Sequence, residues 1–173
     1  MTELSKLGLV AVLQRRGEFN HEKLEEILKG GNDDGFGESF PGGCNLTVWG
    51  GMKENETPME AIIRETYEEM GEDLGEMFDF NWHVAKEIYR FEDDKNLKIA
   101  FGLKVSCDIL LDLHFNASSG GIHILTEDKV DEIQDLAKFD KKIGVLDRSV
   151  IALYFDCRQA IKNAFAMFKN PTS

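Results

Sequence analysis

The segment between Thr57 and Gly71 constrains the fold of this chain most, because it marks both ends of a helix. Thr57 is a favourable N-cap, Pro58 suits the first helical position, and Glu60 stands where it can complete a capping box. Gly71 tolerates the left-handed backbone with which many helices end. The sequence therefore predicts a helix over residues 57–70.

This predicted helix has an apolar face and an acidic face when its residues are placed at steps of about 100°. The positions expected to be buried are Met59, Ile62, Ile63, Thr66 and Met70. On the adjacent face, Glu65, Glu68 and Glu69 are close enough to repel one another and to cost helix stability. A hard cation such as Mg²⁺, which prefers oxygen ligands, would compensate that repulsion. A solvated acidic face is the alternative.

The wider segment over residues 50–72 carries polar residues at fixed spacings. They are Gly50, Glu56, Arg64, Glu65, Glu68, Glu69 and Gly71. This pattern resembles the Nudix box, the signature of the Nudix hydrolases. A chance match of all these positions in a chain of this length is on the order of one in a million. The resemblance is looser over the predicted hairpin and the acidic segment behind it.

The resemblance implies a role for most of the polar box residues. Glu65, Glu68 and Glu69 would bind Mg²⁺, with Mn²⁺ as an alternative metal. Arg64 would pair with acidic residues of the box, such as Glu56, and would hold the loop and the helix in shape. We therefore expect a metal-dependent site at this helix.

The resemblance also implies how the backbone is used and which fold surrounds it. Gly50 and Gly51 would let the backbone approach the metal and the substrate phosphates, although the Gly-rich opening before Glu56 is one residue shorter than is usual in the family. The implied fold is of the α+β class, a Nudix-type α/β/α sandwich around a mixed β-sheet. We expect a single domain over residues 1–173, with an insertion at about residues 17–44.

A further carboxylate is expected outside the box. Residues 126–136 resemble the segment that supplies such a glutamate in the antimutator, nucleotide-cleaving branch of the family. The matching position is Glu127, with Asp128, Asp131 and Glu132 as neighbouring candidates and exposed loop charge as the alternative interpretation. The general base is then either Glu68 or Glu127.

Two residues elsewhere are candidates for substrate contact. Arg15 stands beside Arg16 at the end of a predicted strand and could contact phosphate, while surface solubility is the alternative role for at least one of them. Tyr89 lies 17 residues beyond Glu72. The branch of the family that acts on diadenosine polyphosphates often has a tyrosine there, and packing within an aromatic strand is the alternative.

The charge balance restricts the partners. The 173 residues include 20 Lys and Arg against 32 Asp and Glu, a net charge of −12, which argues against binding nucleic acid or an anionic membrane through a basic surface. An anionic substrate would need a divalent cation between it and the carboxylates. We expect a small-molecule nucleotide substrate, no nucleic-acid partner and no membrane partner, and leave a homodimer open.

The cysteines and the apolar runs point to the cytoplasm. Cys44, Cys107 and Cys157 are far apart and show no zinc-binding spacing, which is typical of reduced thiols in a cytoplasmic protein. The apolar run at residues 7–13 is too short to span a membrane and lacks a cleavage site for a signal peptide.

Hydrophobic patterning predicts the remaining elements. The predicted strands are residues 7–14, 45–49, 82–91, 97–107 and 122–126, of which 82–91 and 97–107 form a hairpin. The predicted helices are residues 21–29 and about 147–168, and the predicted loops are 30–43 and 117–121. Loop 30–43 is either a surface insertion or a substrate lid.

The resemblance implies a Mg²⁺-dependent enzyme that cleaves the diphosphate linkage of a nucleoside diphosphate bonded to another group. Diadenosine polyphosphates and (deoxy)nucleoside triphosphates belong to this substrate class. Water would attack phosphorus, with the metal neutralising the phosphate oxygens. The alternatives are a catalytically inactive Nudix-fold module that binds nucleotides or regulates, and an acidic interaction protein.

Overall fold

A computed structural model describes residues 8–19, 21–31, 37–106, 109, 115 and 119–169. The helices are α1 (His21–Leu28), α2 (Pro58–Met70), α3 (Glu72–Asn81) and α4 (Phe155–Lys169). The strands are β1 (Val10–Arg16), β2 (Cys44–Leu46), β3 (Lys86–Glu92), β4 (Leu97–Gly102), β5 (Ser119–Thr126), β6 (Gln134–Asp135) and β7 (Ala152–Leu153). The α+β class expected from the sequence is confirmed.

The described strands form three small sheets. β1 lies between β2 and β5 and is antiparallel to both; β3 and β4 form an antiparallel hairpin; β6 and β7 are a short parallel pair. Because β2 and β5 run opposite to β1, both run toward its N-terminal end. The chain therefore leaves β2 toward the box, and β5 toward Glu127, at the same end of this sheet.

The main core lies between the three-stranded sheet and α4. Leu13 of β1, Leu125 of β5 and Leu153 of β7 are fully buried, and Ile161 and Phe165 of α4 pack against them. Burying a side chain of this size contributes about 1.5–3 kcal/mol. A second cluster joins the hairpin to the other side of α4 through Ile88, Ala100 and Ala160.

The last predicted helix is wrong over its first turns. Residues 147–150 form a turn in which the Asp147 carboxylate accepts from Ser149, and Ala152–Leu153 form β7, so α4 begins only at Phe155. The apolar spacing suggested one helix, but the backbone before Phe155 bonds with β6 instead: the amide of Gln134 donates to Ile151. Pairing between distant segments overrode the local pattern.

Other boundaries also differ from the sequence-based prediction. The loop predicted at 117–121 is strand from Ser119 onward, because Ser119 pairs with Arg16 across a bulge in β1. β4 ends at Gly102, before the predicted end at residue 107, and that last residue lies outside the described part. Strand β1 begins at Val10. Residue 7, where the predicted strand begins, lies outside the described residues.

Helix α3 is an element that the sequence analysis missed. It follows α2 after the single residue Gly71, whose φ of 87° turns the chain. Gly75 allows the two helices to pack closely, because a Cβ there would overlap the ring of Tyr67. The signal was present in the sequence as Glu72 and Asp73 in a first turn followed by Leu74 and Met77 at helical spacing.

None of the helices in the described ranges is both long enough and apolar enough to cross a membrane.

Candidate active site

The box helix begins and ends where the sequence predicts. The Thr57 hydroxyl accepts from the Glu60 amide at 3.3 Å, and the Glu60 carboxylate accepts from the Thr57 amide at 2.8 Å. This reciprocal pair satisfies two amides that have no partner within the helix. Met70 is the last helical residue and Gly71 caps the helix. The capping box and the glycine stop are confirmed.

The Arg64 side chain connects the helix to the loop before it. Its Nε and Nη2 donate to the two carboxylate oxygens of Glu56, at 2.8 and 3.0 Å. Nη2 also donates to the Gly51 carbonyl at 2.9 Å, and Nη1 donates to Glu65 at 2.7 Å and to Glu68 at 3.3 Å. The Arg64–Glu56 pair expected from the resemblance is present.

The Glu56 carboxylate accepts hydrogen bonds from two residues. Besides Arg64, the Lys53 amide donates to its carboxylate at 2.7 Å. These bonds to the charged form, those from Arg64 first, lower the pKa of Glu56 to about 2. The carboxylate therefore stays ionised and fixes the turn over residues 53–56.

Gly50 and Gly51 differ in what surrounds them. A Cβ at Gly50 would overlap the Glu65 carboxylate, whereas a Cβ at Gly51 would meet nothing within 4 Å. Only Gly50 is therefore required for the approach of the loop to the acidic face of α2. Gly51 contributes its carbonyl, which holds Arg64.

The three carboxylates of the helix have different surroundings. Glu65 is nearly enclosed beside Gly50 and Arg64, while the Glu68 side chain is 53% exposed and lies 3.5 Å from the Lys53 ammonium. Glu69 is largely buried, and its Oε2 has no hydrogen-bond partner within the described structure. Burial first, and then the charges of Glu65 and Glu68, raise the pKa of Glu69 to about 8.

These surroundings fit a divalent cation in part. A buried carboxylate oxygen without a partner, next to two other carboxylates, is a site that a hard cation would satisfy. The described side chains, however, include no group of three or more His, Cys, Asp or Glu arranged to hold a metal ion. In this arrangement Arg64 and Lys53 neutralise Glu65 and Glu68, so binding of Mg²⁺ or Mn²⁺ by the three glutamates stays a prediction.

Glu127 follows β5 directly, in a short 3₁₀ helix over Glu127–Glu132. Its carboxylate lies 2.6 Å from the Lys169 ammonium of α4. It stands at the end of the sheet from which the chain also departs toward the box, and its ion pair is with α4 rather than with a box residue. Its role as base or metal ligand remains a prediction.

Arg15 lies in the interior. It is 5% exposed, and its guanidinium donates to the carbonyls of Gly42, at 2.8 Å, and Val150, at 3.2 Å, and bonds with His123. Arg16 is 8% exposed and binds Asn45 and Glu38. A surface role is therefore wrong for both arginines. The bonds of Arg15 tie loops to the sheet, and its contact with phosphate remains a prediction.

Tyr89 lies on β3 and packs against the cluster that joins the hairpin to α4. It also lines two openings, described below, so packing and substrate contact are both compatible with its position. The predicted loop 30–43 is described only for residues 30, 31 and 37–43. There, the Gly42 and Arg16 backbones bond to each other, and Pro41 packs against Gly144.

A large cavity of about 980 Å³ opens beside the box. Its lining includes Gly50, Gly51 and Glu65 together with apolar residues of β1, the hairpin and α4. A smaller cleft of about 370 Å³ shares four of its lining residues with this cavity, namely Tyr89, Lys98, Tyr154 and Asp156. The two openings therefore share part of their lining.

Two residues that matter to this site were not singled out from the sequence. Lys53 neutralises Glu68, and Asn55 holds a φ of 63° in the turn before Glu56. The signal for Asn55 was its residue type, since asparagine is among the few residues besides glycine that enter the left-handed region readily. For Lys53 the sequence held no signal beyond its place in the loop.

The chain matches no protein-family model, and no curated protein or solved structure is significantly similar to it.

Proposed function

We propose that the chain is a Nudix hydrolase, built on the α/β/α sandwich of that family, that cleaves the diphosphate linkage of a nucleoside diphosphate bonded to another group, with Mg²⁺ or Mn²⁺ as cofactor. One observation carries the proposal: Arg64 binds Glu56, Glu65, Glu68 and the Gly51 carbonyl together. Four of the seven box residues, namely Glu56, Arg64, Glu65 and Glu68, thus form one network rather than a scattered acidic surface.

Each residue of the proposed active site would have its own role. Arg64 fixes the loop against the helix, and Gly50 admits the loop backbone to the side of Glu65. Glu65, Glu68 and Glu69 would hold the metal, which would supply charge neutralisation at the phosphate oxygens and a lowered pKa for water. Glu68, the most exposed of the three, would accept a proton, and Glu127 is the other candidate base.

The competing hypothesis is a Nudix-type module that binds nucleotides or regulates without catalysis. The observation that favours it is the pairing of Glu68 with both Lys53 and Arg64, which occupies the carboxylate that catalysis would need. A substrate phosphate could draw Lys53 away from Glu68, since it offers that ammonium a stronger acceptor. The two hypotheses therefore differ in what happens when substrate and metal are added.

Release of phosphate products from a panel of nucleotide substrates with Mg²⁺, and separately with Mn²⁺, distinguishes them. The panel should include diadenosine polyphosphates, nucleoside triphosphates and nucleoside diphosphates bonded to sugars. We expect Glu68→Gln to lower kcat on the preferred substrate by about 10²–10⁴-fold. Glu76→Gln, which removes an exposed carboxylate of α3, is the matched control and should leave kcat unchanged.

Activity on no substrate, or activity that Glu68→Gln leaves intact, would contradict the hydrolase proposal. Retained nucleotide binding by an inactive wild-type chain would instead support the binding module. Circular dichroism of each variant shows whether a loss of activity reflects a loss of fold.

A further inference from the structure

The cavity of about 980 Å³ is bordered by apolar faces of several elements. On β1, the central strand of its sheet, Val10 and Val12 point to the same side, and both are only partly buried. On α2, Ile62 and Met70 belong to the face expected to be buried, yet both are also only partly buried. All four line the cavity, and further apolar lining comes from Met77, Ile99, Phe101 and Phe168. These faces therefore border the cavity instead of completing a core.

The size and the lining of the cavity indicate a bulky apolar ligand group. A volume of about 980 Å³ lies at the upper end of the range of small-molecule sites. Moving a hydrocarbon group from water onto apolar side chains is favourable, and it would remove the partly buried faces of α2 and β1 from water as well. Met52, Met70 and Met77 add unbranched side chains that adapt to the shape of a ligand.

Two hydroxyl groups in the lining are already bonded within the protein. The Thr47 hydroxyl donates to the Val12 carbonyl, and the Thr66 hydroxyl donates to the Ile62 carbonyl, each at 2.6 Å. A ligand group with polar edges would lose hydrogen bonds to water here and would find these two donors occupied. A hydrocarbon chain has no such bonds to lose, so the lining favours it.

The same cavity reaches the box. Gly50, Gly51 and Glu65 belong to its lining, and Glu65 is one of the proposed metal ligands. We propose that the cavity binds a long hydrocarbon chain, and that this chain is the group bonded to the diphosphate in the substrate. The bond to a diphosphate rests on the proposed function, whereas the affinity for a chain rests on the cavity alone. Such a substrate would place its anionic part at the box and its chain among α2, β1 and the hairpin.

Calorimetry with alkyl phosphates measures the affinity for the chain directly. Butyl, hexyl and octyl phosphate, each below the concentration at which it forms micelles, differ only in chain length, and as monoesters they carry no diphosphate linkage to cleave. We expect each added methylene to raise the affinity about fourfold, hence about 200-fold from butyl to octyl phosphate. AMP, which carries a polar ring instead of a chain, should bind more weakly than octyl phosphate.

Two alanines of α4 provide matched substitutions. Ala164 lines the cavity, whereas Ala166 on the same helix is exposed. Ala164→Phe places a ring in the cavity and should weaken the binding of octyl phosphate by about tenfold or more, equivalent to displacing about two methylenes. Ala166→Phe should leave the binding unchanged. Ala164→Leu is a smaller change in the same direction, and thermal unfolding of each variant shows whether the fold is kept.

Magnesium separates this proposal from the proposed function. If the phosphate lies at the box, Mg²⁺ should raise the affinity for octyl phosphate but not for octanol, and Glu65→Gln should abolish that increase. Affinity that rises with chain length but ignores Mg²⁺ would support the cavity as a hydrocarbon site and would contradict the proposed metal site.

Affinity that is independent of chain length, or tighter binding of AMP than of octyl phosphate, would overturn the proposal. Equal binding of octyl phosphate by folded Ala164→Phe and Ala166→Phe would overturn it too. Because these measurements need no turnover, they can fail while hydrolysis is present, and can succeed when hydrolysis is absent. The two proposals are thus tested separately.

Discussion

Both carboxylate oxygens of Glu56 accept hydrogen bonds from the guanidinium of Arg64, at 2.8 Å from Nε and 3.0 Å from Nη2. The two are eight positions apart along the chain, and their pairing joins the loop after Gly50 to the middle of α2. A planar guanidinium that donates to both oxygens of a carboxylate fixes the relative orientation of the two groups as well as the distance between them. This contact therefore helps to fix the position of the acidic face relative to the loop, together with the bond from Arg64 to the Gly51 carbonyl.

Replacing the planar guanidinium of Arg64 with an ammonium should displace the acidic face of α2 relative to the loop. We expect Arg64→Lys, which keeps the charge, to lower kcat/KM by about 10–100-fold, the usual cost of losing a residue that orients metal ligands. Steady-state kinetics on the preferred substrate checks this. The control is Arg90→Lys, since Arg90 forks onto Glu87 in the same way but on the exposed hairpin. Equal activity of the two variants would contradict the role of Arg64.

Gly50 and Gly51 provide a matched pair of substitutions. An alanine Cβ at Gly50 would overlap the Glu65 carboxylate, so Gly50→Ala should displace Glu65 and lower kcat/KM by about 10²-fold or more. Gly51→Ala has open space and should change stability by no more than about 0.5 kcal/mol, with activity retained. Kinetics and thermal unfolding of both variants measure this. Similar losses in both would show that the loop tolerates no side chain at either position.

The turn before Glu56 depends on a residue that accepts a left-handed backbone. Asn55 has a φ of 63°, which costs most other residues about 1–2 kcal/mol. We expect Asn55→Ala to lower the free energy of unfolding by about 1 kcal/mol and Asn55→Gly to leave it unchanged or raise it slightly. Urea unfolding measures both, with Glu54→Ala on the same exposed turn as the control. A fully stable Asn55→Ala would contradict this geometry.

The buried Glu69 should make the stability of the metal-free protein depend on pH. Its pKa is about 8 in the folded chain against 4.5 for an ordinary glutamate, so folding takes up a proton between these values. Stability contributed by the protonated form is therefore present below about pH 4.5 and is lost as the pH rises toward 8. Glu69→Gln cannot ionise, and its Tm should fall less than that of the wild type across this window.

Thermal unfolding with and without Mg²⁺ extends that test. A cation bound by Glu69 competes with the proton, so Mg²⁺ should raise the Tm of the wild type more at pH 8 than at pH 6 and should affect Glu69→Gln less. Glu76→Gln is the control and should follow the wild type. An equal pH dependence in all three proteins would mean that Glu69 is ionised in the folded chain.

The local part of the site was predictable from the sequence because its causes are local. Thr57, Glu60 and Gly71 determine where α2 begins and ends, since caps act within one turn of the chain. Helical spacing then places Glu65, Glu68 and Glu69 on neighbouring positions. The hairpin of β3 and β4 was predictable for the same reason, as strand residues lie on both sides of a short turn.

Only the tertiary structure decided how those local elements are used. Arg15 and Arg16 lie at a strand end, and nothing in their neighbours along the chain shows that carbonyls and carboxylates from distant loops bury them. Likewise, the apolar run before Phe155 satisfies its backbone with β6 instead of a helix, and the unequal burial of Glu65, Glu68 and Glu69 follows from what packs around α2. Long-range packing determines burial and partners, and these in turn determine the charge state of each carboxylate.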